Sequence, residues 1–146
     1  MDNHCDLKSI HQVQAVCFLN DKEIVLYENI EGWFGNPGGT IEVGEDIEEA
    51  LRRELIEEAQ LKVIAWKIIG VEKVFYPNKL KAEKESCFLR VVAKVELIDK
   101  EIIDPDGKAI GRIIVGVDEA VEKLAWGEKG ESLIKLAQEK YNQIWG

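Results

Sequence analysis

Two short apolar stretches near the start of the chain predict β-strands. They are VQAVCFLN (13–20) and EIVLYEN (23–29), and only Asp21 and Lys22 separate them. Two such stretches joined by so short a connection are typical of a β-hairpin whose strands are half buried. The sequence therefore predicts a hairpin over residues 13–29.

Two later stretches also predict strands. Residues 61–77 are rich in Val, Ile and aromatic residues and are too long for one flat strand, so Gly70 is predicted to mark a bend or bulge. Residues 86–97 are predicted to form a strand that presents two different faces. Phe88, Arg90 and Val92 share one face, and Leu89, Val91 and Ala93 share the other.

Two polar stretches interrupt these patterns. EGWFGNPGGT (31–40) is rich in Gly, Pro and Asn, and we expect it to be irregular. DPDGK (104–108) is predicted to be a turn, because its glycine falls too early for a calcium-binding loop and no terminal Glu follows at the required spacing.

Helical periodicity appears in three segments. Asp46 is a favourable N-cap and Glu49 completes a capping-box pattern, so a helix is predicted over 47–59. Two further helices are predicted over 118–126 and 131–145. Strands interleaved with a few helices indicate an α/β layered domain around a mixed sheet.

Composition excludes several classes of protein. The chain has 146 residues, enough for one domain, and its net charge of -9 argues against nucleic acid as a partner. No apolar run is long enough to cross a membrane, and the N-terminus has no apolar signal region. Cys5, Cys17 and Cys87 are odd in number and form no CxxC pair, which favours a reducing, cytoplasmic location.

The helix predicted over 47–59 carries three acids on its apolar face. On a helical wheel, the core-facing stripe consists of Ile47, Ala50 and Leu51. Glu54, Glu57 and Glu58 extend this stripe at its C-terminal end. Glu49 and Arg52 point to the opposite side, as solvated charges do. Acids on the solvent-exposed face of a helix are ordinary, but acids on the inward face require an explanation.

Carboxylates turned toward a core must find a partner or take up a proton. A divalent cation such as Mg²⁺ meets this need, because it prefers oxygen ligands and is usually held by a few carboxylates together with substrate phosphates. The alternative is that the acids form salt bridges with Arg52, Arg53 and nearby lysines.

The stretch 39–61 resembles the Nudix box, whose pattern is G-x5-E-x7-R-E-U-x-E-E-x-G-U with U a bulky aliphatic residue. The matching positions are Gly39, Glu45, Arg53, Glu54, Leu55, Glu57, Glu58 and Leu61. Gln60 replaces the last glycine of the pattern. A left-handed Gln60 costs about 1 kcal/mol, unless the helix ends in a different turn.

This resemblance implies a single Nudix hydrolase domain over 1–146, with an α/β/α sandwich around a mixed β-sheet. It also implies Mg-dependent cleavage of a diphosphate bond in a nucleoside diphosphate linked to another group. By position, Glu54, Glu57 and Glu58 would bind Mg²⁺ or Mn²⁺ together with the Gly38 carbonyl. Glu45 would lie near the metals through water, and Arg53 would orient the glutamates.

The identity of the catalytic base is left open by the resemblance. A glutamate beside the metal-activated water, Glu54 or Glu57, is one candidate, and a loop acid such as Glu83 or Glu85 is another. The substrate is also open among a nucleoside triphosphate, a sugar nucleotide such as ADP-ribose, and a dinucleoside polyphosphate. Aromatic residues able to stack on a base, or to fill the core, are Trp33, Phe34, Trp66, Phe75 and Tyr76.

Two other functions compete with hydrolysis. A Nudix-fold module that binds a nucleotide or sugar nucleotide without cleaving it has no need of all three glutamates. An isomerase acting on an isoprenoid diphosphate needs a reactive cysteine and further metal ligands, and no such set is visible. We expect a small-molecule nucleotide substrate, no nucleic-acid or membrane partner, and a monomer or homodimer.

Overall fold

The computed structural model describes residues 9–75, 85–101 and 103–146, so the predictions made for Tyr76 and Glu83 lie outside the described residues. Within these ranges the chain forms strands and helices in the order that follows. They are β1 (Ile10–Phe18), β2 (Glu23–Asn29), β3 (Phe34–Gly35), β4 (Gly38–Thr40), α1 (Ile47–Ala59), β5 (Leu61–Phe75), β6 (Glu85–Leu97), β7 (Ala109–Gly116), α2 (Val117–Leu124) and α3 (Gly127–Trp145).

The strands form one mixed sheet. Its main order is β3-β2-β1-β6-β5, with β4 paired to β1 and β7 paired to β2. β1 and β6 run parallel, whereas the other pairs are antiparallel. The predicted hairpin is confirmed, since Cys17 of β1 lies opposite Val25 of β2. The expectation that its strands are half buried is wrong, because both of their faces are covered. The register of β5 against β6 shifts at Gly70, as the bulge prediction requires.

Helices cover both faces of the sheet. Helix α1 packs on one face against a core that includes Ala15, Leu89 and Val91. Helices α2 and α3 pack on the other face, against Phe18 and Val92 among others. The predicted alternation along β6 is therefore confirmed, and the three layers form the α/β/α sandwich that was expected.

Some element boundaries differ from the sequence prediction. Residues 31–40 were expected to be irregular, but they contain the short strands β3 and β4, which pair with β2 and β1. The hydrophobic pattern does not predict β7, and α3 begins at Gly127 rather than at residue 131. For the strands β3, β4 and β7, the paired strand supplies what the local sequence lacks, because pairing overrides weak intrinsic propensity.

The cysteines differ from each other. Cys17 is a free thiol buried in the core, where burial raises its pKa. Cys87 is disulfide-bonded, although the odd number of cysteines and the lack of a CxxC pair favoured a reducing location; cysteine spacing alone does not reveal pairing. No helix in the described part of the chain is both long and apolar enough to cross a membrane.

Candidate active site

Helix α1 is fixed at its start by a capping box and at its end by an arginine. The Asp46 carboxylate accepts the Glu49 N–H at 2.8 Å, and the Glu49 carboxylate accepts the Asp46 N–H at 3.2 Å. The terminal carbonyls of Ala59 and Gln60 accept hydrogen bonds from Nη1 of Arg112, at 2.9 and 2.7 Å. Backbone N–H groups at the start of α1 and carbonyls at its end, which lack partners within the helix, are thus hydrogen-bonded.

The wheel prediction for the acids is confirmed by their burial. Glu54 and Glu58 are only 8% and 9% exposed. Glu57 is half buried, whereas Glu49 and Arg52 are exposed. Two ionisable carboxyl groups therefore lie one helical turn apart on the buried face of α1, which is costly unless something neutralises them.

The strand β4 lies directly against these carboxyl groups. The Gly38 N–H donates a hydrogen bond to Oε1 of Glu58 at 2.7 Å. A Cβ added to Gly39 would lie 2.5 Å from Cδ of Glu54, so only glycine lets the backbone approach this closely. The two glycines hence bring the backbone of β4, including the Gly38 amide, directly against the acids of α1.

Arg53 connects four acceptors around the acids. Its guanidinium donates to both oxygens of Glu45, at 2.7 and 2.9 Å, and to the Thr40 carbonyl at 3.0 Å. Nη1 donates to Glu54 at 3.0 Å and to Glu57 at 3.2 Å. This network fixes the orientation of the glutamates, but one guanidinium carries only one positive charge. The salt-bridge alternative therefore accounts for part of the cluster only.

The pKa values of these carboxyl groups reflect the shortage of positive charge around them. Burial raises the pKa of Glu54 to about 7, although Arg53 acts in the opposite direction. Burial also raises the pKa of Glu58 to about 8, against the Gly38 hydrogen bond, with the negative charge of Glu54 adding to the rise. By contrast, the hydrogen bond from Arg53 lowers the pKa of Glu45 to about 2. Near neutral pH Glu58 is thus largely protonated and Glu54 partly so, unless a cation replaces the protons.

The acids open into a cleft of about 510 Å³. It is lined by Gln12, Gln14, Tyr27, Asn29, Trp33, Gly38, Gly39, Thr40, Glu42, Arg53, Glu54, Glu57, Glu58, Asp104, Pro105, Asp106 and Lys108. Of the residues predicted for the site, Gly38, Arg53, Glu54, Glu57 and Glu58 meet here. Glu45 does not line the cleft and instead lies behind Arg53, which it holds.

The predicted turn at 104–108 also belongs to the cleft, which the sequence did not indicate. The Asp104 carboxylate accepts backbone N–H groups of Asp106, Lys108 and Ala109 and so fixes the turn. Asp106 and Lys108 are exposed there. The only signal in the sequence was a pair of acids in a turn, and their approach to α1 depends on the tertiary fold.

The loop acids and aromatic residues predicted as further candidates lie in different parts of the molecule. Glu83 lies outside the described residues, and only the backbone of Glu85 is described. Phe34 is half buried on the face covered by α2, with Nζ of Lys123 5.4 Å from its ring centroid. Trp66 donates to Glu48, on the solvent side of α1. Trp33 lines the cleft.

The carboxylates do not form a ready-made cage. Among the residues with described positions, no group of three acidic, histidine or cysteine side chains is arranged to hold a metal ion. Arg53 is bonded to Glu54 and Glu57, and Glu58 faces the Gly38 amide. Mg²⁺ seldom occupies dedicated cages and is more often bound by one or two carboxylates, waters and substrate phosphates.

A second cavity lies on the opposite side of the sheet. It measures about 360 Å³ and is lined by Glu72, Arg90, Trp126, Lys129, Ser132, Leu133 and Leu136. Its charges pair with one another, since Arg90 and Lys129 both bind Glu72, at 2.9 and 2.7 Å. Glu72 is the one acid among the described residues that line it, so the chemistry associated with the clustered glutamates belongs to the first cleft.

Comparison with known proteins places this arrangement in a family. The family model described as NUDIX domain matches residues 10–136. No curated protein sequence matches the chain.

Solved structures with the same fold include three with named activities. A pyrophosphohydrolase from Bacillus subtilis has 21% identity and a TM-score of 0.74, covering 99% of this chain and 89% of that one. A mutator MutT protein from Bacillus halodurans has 24% identity and a TM-score of 0.60, covering 84% and 78%. An ADP-ribose pyrophosphatase from Streptococcus suis has 20% identity and a TM-score of 0.59, covering 88% and 89%. At these identities, the likeness concerns the fold.

Proposed function

The chain belongs to the NUDIX domain family and is a hydrolase acting on acid anhydrides, and from this premise we propose a metal-dependent reaction on a nucleotide. In this proposal the enzyme cleaves a diphosphate bond in a nucleoside diphosphate linked to another group. Mg²⁺ or Mn²⁺ is held by Glu54, Glu57 and Glu58 with the Gly38 carbonyl. The observation that carries the proposal is the pair of buried carboxyl groups, Glu54 and Glu58, against the glycines of β4.

The donor set fits a hard divalent cation. All the groups are oxygen donors, and two of them are buried carboxyl groups whose pKa values burial raises to about 7 and about 8. A cation that binds Glu54 and Glu58 would replace their protons and remove the cost of burying them. When bound, such an ion neutralises phosphate oxygens and lowers the pKa of a coordinated water.

The protein's own residues then supply position and proton transfer. Arg53, itself held by Glu45 on two bonds, fixes the rotamers of Glu54 and Glu57 at the cleft wall. We assign Glu54 or Glu57 as the group that accepts the proton of the attacking water, because both line the cleft. Lys108, on the opposite turn, is placed to bind a phosphate oxygen of the substrate.

The competing function is a binding module that retains the fold without cleavage. It requires a cleft, which is present, but it gives no reason to bury several acids with a single arginine among them. Solved structures named MutT, pyrophosphohydrolase and ADP-ribose pyrophosphatase share this fold and agree with hydrolysis of a pyrophosphate bond. They leave open which nucleotide this chain uses.

A matched pair of substitutions on α1 tests the proposal. Glu57→Gln removes a charge from the cleft, and we expect kcat on a nucleotide panel with Mg²⁺ to fall by orders of magnitude. Glu49→Gln keeps the oxygen that accepts the Asp46 N–H on the outer face, and activity should hardly change. Equal effects of the two substitutions would contradict the assignment.

Metal dependence is measured on the same preparations. Chelation with EDTA should abolish turnover, and Mg²⁺ or Mn²⁺ should restore it. The ion should also raise the thermal midpoint of the wild type, since only the folded chain presents the ligands together, and raise that of Glu57→Gln less. Full activity after complete chelation would refute the metal-dependent mechanism.

A further inference from the structure

Two aromatic side chains line the cleft that contains the glutamates, and Trp33 is the exposed one. Trp33 lines this cleft and is 48% exposed, whereas Tyr27 beside it is buried. The two rings form an edge-on pair, with centroids 5.7 Å apart and planes inclined at 70°. Single exposed apolar residues are common on surfaces, so exposure alone says little. Trp33 differs from such residues because it lies inside a concave cleft of the kind that binds small molecules.

The backbone around Trp33 holds its ring in place. The Trp33 carbonyl accepts the Asn29 N–H at 2.8 Å, and the Asn29 carbonyl accepts the Gly32 N–H at 2.8 Å, which closes a tight turn. A Cβ added to Gly35 would lie 2.8 Å from Cε1 of Tyr27 and 3.1 Å from Cζ3 of Trp33. Glycine at position 35 therefore makes room for both rings, and the indole is supported on one side while facing the cleft.

The cleft thus combines charged groups with an aromatic surface. The glutamates, through a bound cation, and the exposed Lys108 would hold a diphosphate, and the indole supplies a flat apolar surface. Its volume of about 510 Å³ is within the range of pockets that take nucleotide-sized ligands. Stacking on an indole favours a planar ring system and discriminates poorly between functional groups on its edge.

We propose that Trp33 is the platform on which the planar base of the substrate stacks, and that it sets the preference of the cleft among bases. The larger ring area of a purine should make purine nucleotides the better ligands. This inference rests on the proposed function, since it takes the diphosphate to bind at the glutamates.

The test measures binding of a product-type ligand, so that it does not depend on turnover. Adenosine 5′-monophosphate and ribose 5-phosphate are titrated by calorimetry into the full-length wild type, Trp33→Phe and Trp33→Ala. Trp126→Ala is the control, because Trp126 is similarly exposed, at 37%, but lines the cavity on the other side of the sheet. Circular dichroism verifies that each variant is folded.

We expect Trp33→Ala to weaken binding of adenosine 5′-monophosphate about tenfold or more, and Trp33→Phe to weaken it less. Ribose 5-phosphate should bind all variants equally, and Trp126→Ala should match the wild type. Gly35→Ala keeps the indole but displaces it, and should weaken the adenosine ligand in the same direction. The ligand should also quench tryptophan fluorescence in the wild type and quench it less in Trp33→Phe.

Three results would overturn the inference. They are an equal loss of both ligands in Trp33→Ala, no loss of either, and no detectable binding of adenosine 5′-monophosphate by the wild type. Failure of the proposed function looks different, because a chain that binds the adenosine ligand through Trp33 yet cleaves no diphosphate keeps the stacking site and loses only hydrolysis.

Discussion

Gln60 adopts a left-handed conformation at the end of α1, with φ 50° and ψ 58°, where the Nudix pattern has glycine. Its side chain offsets this strain in part, because Nε2 donates to the Glu101 carbonyl at 3.1 Å. The position thus combines a steric penalty of about 1 kcal/mol with a hydrogen bond of about the same worth.

Substitutions at Gln60 separate these two contributions. Gln60→Ala keeps the β-carbon and loses the hydrogen bond, so it should lower the free energy of unfolding by about 1 kcal/mol. Gln60→Gly loses the bond but relieves the strain, at some cost from a more flexible unfolded chain. We expect denaturant midpoints in the order wild type, Gly, Ala. A Gly variant less stable than Ala would contradict a left-handed residue 60.

At the scale of single residues, sequence periodicity predicted what lies on α1 and little of what faces it. The burial of Glu54 and Glu58 followed from helical spacing alone. The entry of Asp106 and Trp33 into the same cleft did not, because a turn and a loop reach it through the fold of the sheet. The support of the α1 end by Arg112 is equally non-local, since 53 positions separate it from Ala59.

At the scale of elements, α1 owes its start to Asp46, and this contribution is measurable. Asp46→Ala removes the acceptor for the Glu49 N–H and should lower the free energy of unfolding by about 1 kcal/mol. Asp46→Asn keeps an oxygen in the same place and should lower the free energy of unfolding by only a few tenths of a kcal/mol. Urea denaturation of both variants measures the difference. Equal losses would mean that the negative charge at the helix start matters and the hydrogen bond does not.

Elements with a strong local pattern were predicted well, and elements that depend on partners were not. Helix α1 occupies the predicted residues 47–59 because its cap, periodicity and exit all lie in one short segment. The strands β3 and β4 have two and three residues, which is too short for any periodicity to register. The parallel pairing of β1 with β6 leaves no signal in either strand, since pairing partners depend on topology.

At the scale of the whole molecule, the buried acids predict how stability varies with pH. Burial raises the pKa of Glu54 to about 7 and of Glu58 to about 8, from an ordinary value of 4.5. The native state therefore binds more protons than the unfolded state between these values, so metal-free stability should fall as pH rises from about 4.5 to about 8. The lowered pKa of Glu45 acts below this window.

Urea midpoints in EDTA at pH 5, 6, 7 and 8 test this dependence. Mg²⁺ should reverse the decline at pH 8, because the ion binds the deprotonated carboxylates and only in the folded state. Glu58→Gln, which is neutral at every pH, is the control and should show a flatter profile. A metal-free stability that rises steadily from pH 5 to pH 8 would show that these carboxyl groups are ionised in the folded protein.

The central pairing of the sheet also has a consequence for synthesis on the ribosome. Gln14 of β1 and Arg90 of β6 are hydrogen-bonded neighbours although 76 positions separate them in the chain. At roughly 5–20 residues per second, β1 emerges roughly 4–15 s before β6 exists. During that interval the edge of β1 that will pair with β6 presents unpaired backbone N–H and C=O groups. We therefore expect the growing chain to be most prone to aggregation, and most accessible to chaperones, before β6 is synthesised.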